Sequence, residues 1–259
     1  MIFIPTTTDP FEHYFYKQAQ LADEMVASGS VPAAYTLATS SLDALAEIWL
    51  HDFPEVEEKF KKEFRGKIPS SIRLARLLKQ FIPNDPCVSK VAVVCFAEDW
   101  KHYVPQDSHI ADQLLSKRIN QDPIFAGHEL PRAYLDKSRD ELAKECPELA
   151  ARSDLLALAE EYEYGALLYS FYRCSLVHVA TNSKRTHGFA RGEEIMYYWS
   201  FDGSRITIGF GPNLITRWLR YVVSGYVQAC HQAGIVPANN INAGTNQENR
   251  FKGLWNKLK

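Results

Sequence analysis

The chain has 259 residues, with 29 Lys and Arg against 31 Asp and Glu, a formal net charge of -2, and 46% hydrophobic residues. That balance excludes disorder over most of the length and excludes the strongly basic proteins that coat nucleic acid indiscriminately, while leaving room for a local basic patch. The longest apolar runs fall far short of the roughly 20 residues that cross a bilayer, the start from Met1 to Phe11 lacks a basic leader region, and five scattered cysteines without a C-x-x-C pair make neither a disulfide nor a zinc framework.

These features predict a cytoplasmic protein of one domain over 1–259, without membrane, metal or cofactor. In chain order, Phe11 to Ala27 reads as a helix, broken at Ser28-Gly29-Ser30. A second helix follows, with Ser30 as its cap, Pro32 in its first turn, and Val31, Ala34, Ala38, Leu42, Leu45 and Trp49 at intervals of three or four. Glu55 to Arg65 alternates charges like a solvated helix, and Ser70 to Phe81 is helical again. Val88 to Phe96 fits a buried strand or a buried helix equally, because periodicity does not separate the two over so short a run. Ser108 to Ile119 is helical, and loop chemistry surrounds Pro123, Gly127 and Pro131.

From Pro147 the pattern predicts one long helix running to His178, with Gly165 inside it either weakening it by about 1 kcal/mol or permitting a close helix crossing. Asp202-Gly203 between aromatic and β-branched runs predicts a hairpin over about 194–209. Gly211-Pro212-Asn213 then opens a last long helix to about Gly234, with an Asn-rich tail over 236–259. The sum is a mainly α bundle of roughly eight helices, with a β-hairpin inserted before the last long one.

Phosphate-loop, dinucleotide-binding, Ser-hydrolase and zincin signatures are all missing. His128-Glu129 and His51-Asp52 read as surface pairs, and Glu160, Glu161 and Glu163 read as a solvated helix face. Tyr162, Tyr164, Tyr169, Phe171 and Tyr172 read as core or dimer contacts. What remains is Arg173-Cys174-Ser175-Leu176-Val177-His178. A guanidinium holds a phosphate through paired hydrogen bonds, and an imidazole near neutrality moves the proton of an attacking or leaving oxygen. Five helical residues turn by about 140 degrees, so the two side chains share a face only if the helix ends or distorts between them. Asn182, Lys184, Arg185, His187 and Arg191 follow at once, a concentration of positive charge suited to phosphates.

This arrangement resembles the HEPN superfamily, all-α bundles that carry an Arg, four to six residues and a His near the end of a central helix. Tyr35 to Leu45 looks like the opening helix of some bacterial members, and the hairpin and last helix are covered only loosely. The resemblance implies a metal-independent endoribonuclease, a toxin or defence effector, with the Arg and His of two protomers lining one homodimer cleft. It implies that Arg173 binds the scissile phosphate and that His178 transfers the proton of the ribose 2′-hydroxyl. Ser175, Asn182, Lys184 and Arg185 would contact RNA, a 2′,3′-cyclic phosphate and a 5′-hydroxyl would be the products, and an antitoxin or regulatory protein would be a partner. Where family members commonly carry Asn, Asp or His after the Arg, this chain has Cys174, a weak hydrogen-bond partner. The alternative is a non-catalytic dimer of the same fold that binds nucleic acid, nucleotide or a partner protein.

Overall fold

A computed structural model describes residues 9–121, 133–179, 183–200, 203 and 205–237, without the side chains of 118–121 and 177–179. The Asp9 carboxylate accepts from the Phe11 and Glu12 N–H groups and so caps α1 (Pro10–Ala27). Gly29, at φ +84°, turns the chain into α2 (Val31–Asp52). Ser30 stands at the cap position of α2 but makes no side-chain cap bond. Short helices α3 (Pro54–Glu63) and α4 (Ser70–Phe81) follow, and α12 (Pro212–Ala233) ends at Gly234 in the left-handed conformation, as a helix-stopping glycine does. α1, α2, α4 and α12 pack on one another around Leu42, Leu45, Leu74, Leu77, Trp218 and Tyr226. A second buried cluster joins α5 (Val93–Tyr103) and α6 (Ser108–Gln121) to α7 (Arg139–Glu145), α8 (Pro147–Ala150) and α9 (Ser153–Leu158). Among the described residues there are twelve α-helical segments rather than eight, and no helix there is long and apolar enough to cross a membrane.

The increase in number comes mainly from the stretch expected as one helix. After α9 the chain runs through a 3-10 turn over Ala159–Tyr162 and becomes extended at Glu163 (φ -64°, ψ 147°). It then passes into α10 (Tyr164–Leu167), a π-helical turn (Leu168–Arg173) and α11 (Cys174–Val179). The break has a partner. Ala92 N–H donates to the Tyr162 carbonyl at 2.8 Å and Tyr164 N–H to the Lys90 carbonyl at 3.0 Å, so the chain trades helical bonds for a short bridge. The same bridge explains the ambiguous run near Val88: it is extended at Lys90 and Val91 and helical from Val93.

Gly165 takes the second of its two roles. A Cβ there would overlap the Ala75 backbone, so α10 crosses α4 closely only because the position is glycine. The hairpin forms as expected. β1 (Ile195–Trp199) pairs antiparallel with β2 (Ile206–Phe210), Tyr197 facing Ile208. β2 is buried along its whole length, and Phe210 anchors it. Tyr35 of α2 donates to the Phe210 carbonyl at 2.6 Å, while the Phe210 N–H donates to the Tyr172 hydroxyl at 3.0 Å. The tail from 238 onward lies outside the described residues.

Candidate functional site

Arg173 is the last residue of the π-turn, where the Cys174 N–H reaches back five residues to the Tyr169 carbonyl. Such turns widen a helix by one residue and are often found at functional positions. The distortion precedes the Arg-His pair instead of separating it. From Cys174 onward the chain is α-helical again, so the backbone positions of Arg173 and His178 remain about 140 degrees apart around the axis.

The Arg173 side chain is 24% exposed, and its Nε lies 2.9 Å from Oδ2 of Asp43, a carboxylate only 7% exposed on α2. The other oxygen, Oδ1, accepts from Nη2 of Arg73 on α4 at 2.9 Å, and Arg73 also reaches Glu47 at 3.0 Å. The Arg173 guanidinium carbon lies 5.6 Å from the Tyr169 ring centre. Two guanidiniums and two carboxylates thus form one chain across three elements. Asp43 is buried, ionic and central to it, and removing one member would leave a charge without its counterpart. Asp43 was not among the residues singled out from the sequence, although it is the only charged residue between Val31 and Ala46, in a stretch of α2 that is otherwise apolar or hydroxylated. That isolation was the available signal.

The other expected residues divide. Cys174 and Ser175 are half-buried on α11, directly after Arg173. His178 lies on the same helix with its side chain outside the described residues, and Asn182 lies outside them altogether. Lys184 is exposed. Arg185 is 12% exposed and turned toward α5, donating from Nη1 to Asp99 at 2.7 Å with Nη2 3.4 Å from Glu98. Asp99 also accepts from the Tyr162 hydroxyl at 2.7 Å, and Glu98 accepts from the Ile206 N–H at 2.9 Å. Arg185 therefore ties the connector and β2 to α5, and its charge is matched before any phosphate arrives.

Glu160 and Glu163 differ from the expected solvated face, being 6% and 2% exposed. Arg76 donates to Glu160 at 3.0 Å, while Lys79 and Arg139 approach Glu163 at 2.5 and 3.1 Å, so the acids knit α10 and the 3-10 turn to α4 and α7. Burial at the helix break, invisible in a charge pattern, is the reason. Among the described residues no group of three His, Cys, Asp or Glu side chains is placed to hold a metal ion. No family model, no curated protein and no solved structure matches the chain.

Proposed function

We propose that the chain is a HEPN-like endoribonuclease that works as a homodimer and cuts RNA through Arg173 and His178 without a metal. The observation that carries this reading is the anchoring of Arg173. A buried carboxylate on a different helix holds its Nε side at the end of a π-turn, five residues ahead of a histidine on the same helix. A guanidinium held in this way loses little rotamer freedom on meeting a phosphate and stabilises the charge that grows on the non-bridging oxygens. The ribose 2′-oxygen attacks phosphorus, the bond to the 5′-oxygen breaks, and imidazole takes the 2′-hydroxyl proton or supplies one to the leaving oxygen. A cyclic phosphate and a 5′-hydroxyl result. The separation of the pair around the helix is what a second protomer would bridge, since residues on different sides of a helix meet across a two-fold axis. A toxin of this type would need an antitoxin or another regulatory protein in its own cell.

The second reading is a dimer of the same build that binds nucleic acid, nucleotide or a partner protein without cutting. Two observations favour it: Asp43 already offsets the charge of Arg173, and the next residue is the half-buried thiol of Cys174. Incubation of purified protein with mixed RNA in EDTA, beside Arg173→Ala and His178→Ala and with size-exclusion chromatography on all three, separates them. Under the first reading the parent cuts and both variants fail while keeping the parent's elution volume. An intact pool with the parent protein, or equal cutting by all three, sinks the ribonuclease reading and favours the second.

A further inference from the structure

Phe189 on the connector and Tyr198 on β1 are 52% and 48% exposed, with ring centres 4.9 Å apart. Isolated exposed aromatics are ordinary. These two are assembled on a third ring. His187 is buried beneath them, 5.5 Å from Phe189 with planes 29° apart and 5.6 Å from Tyr198. Both of its nitrogens are used. Nε2–H donates to the Met196 carbonyl at 2.9 Å, which leaves Nδ1 to accept the Phe189 N–H at 3.2 Å, so the ring is a neutral, single tautomer. Burial lowers the His187 pKa and favours the same form.

The strand beneath makes room for the ring, since a Cβ on Gly209 would overlap the imidazole. The Ile208 N–H donates to the Arg185 carbonyl at 3.0 Å and pins the connector to β2. The aromatic pair is therefore held rigidly outward. Exposed Lys184, Arg191 and Arg205 lie on the same connector and hairpin, and residues 183–191 contain no acid. Of the nearest acids in sequence, Glu193 is turned toward Arg217 at 3.4 Å, while Glu194 accepts the Arg191 N–H at 3.2 Å and so sits beside one of these cations. Phe210, next to Gly209, bonds Tyr172, the neighbour of Arg173.

Rigid aromatic faces flanked by cations suit a chain of stacked bases joined by phosphates. We propose that Phe189 and Tyr198 are a stacking platform for unpaired bases, so that RNA is taken up as a single strand with Lys184, Arg191 and Arg205 along its phosphates. The proposal rests on RNA being the ligand of this molecule and does not depend on whether the RNA is cut. The measurement is fluorescence anisotropy in EDTA with a fluorescein-labelled oligo(U) and a blunt RNA duplex of equal length, in a His178→Ala background that spares the probe. Phe189→Ala and Tyr198→Ala each weaken oligo(U) binding by about tenfold, from roughly 1.4 kcal/mol of stacking per base, leave the duplex little changed, and Phe189→Tyr restores affinity. Unchanged oligo(U) affinity in the alanine variants, or equal losses for both probes, overturns the platform. So does an altered elution volume in either variant, which marks a protein contact. Cleavage by the parent is scored separately. A parent that cuts while the platform variants bind normally removes the platform alone, and a parent that binds through the platform without cutting removes the ribonuclease reading alone.

Discussion

At the scale of single residues, two buried acids show how context decides what a carboxylate does. Asp43 has a guanidinium on each oxygen, which makes it a hinge pin between α2, α4 and the π-turn. Among the described residues, Asp136 has no cation at bonding distance. It is 2% exposed and accepts from the hydroxyls of Tyr164 and Tyr197, both at 2.5 Å, and from the Val93 N–H at 3.2 Å. Burial pushes its carboxyl up to about 7 against the lowering effect of those three donors. The folded state then holds the proton more tightly than the unfolded chain does. Its contribution to stability is complete below the unfolded value near 4 and is lost as pH rises toward 7, at about 1.4 kcal/mol per pH unit at the steepest. Asp136→Asn, which mimics the protonated form, should gain stability on the parent across that window and run parallel to it above 7. Urea melts of the two proteins from pH 4 to 8 measure the difference, and a constant difference would mean that Asp136 is ionised throughout.

At the scale of elements, periodicity reads what is local. The spacing of Leu42, Leu45 and Trp49 places α2, and Asp202-Gly203 places the hairpin within one residue of its observed strands. The segment from Pro147 to His178 has equally regular apolar spacing, yet it is broken at Glu163, because the bonds that replace the helix come from Lys90 and Ala92 some seventy residues earlier in the chain. The partners of Arg173 were hidden for the same reason, since Asp43 and Arg73 are remote in sequence and only α2 and α4 bring them to the π-turn. Gly165 marks the one contact that sequence did suggest. Gly165→Ala should lower stability by about 1–3 kcal/mol, because the clash with the Ala75 backbone outweighs the better helix propensity of alanine. A denaturant melt measures the loss, and adding Ala75→Gly should not restore it, because the contact is with the Ala75 Cα, which that change keeps. A Gly165→Ala protein more stable than the parent would show that helix propensity, not crowding, decides at this position.

At the scale of the whole molecule, the net charge is slightly negative and the connector is locally basic, so the proposed RNA ligand would be met at one place instead of along the whole surface. The support of that place is continuous. Phe210 bonds Tyr35 and Tyr172, β2 makes room for His187, and Arg185 joins the connector to α5. A single protomer nevertheless presents the Arg173 and His178 backbone positions on different sides of α11, so the proposed chemistry requires two copies, and association becomes part of the rate law. Cleavage per protomer should fall on dilution as dimers dissociate, following the dimer population measured in parallel by sedimentation. A co-expressed pair carrying Arg173→Ala in one copy and His178→Ala in the other should regain part of the activity that each homodimer lacks, because it brings one intact arginine and one intact histidine into the same cleft. Cleavage per protomer that stays constant while sedimentation shows monomers would place the whole reaction within one chain and remove the second copy from the mechanism.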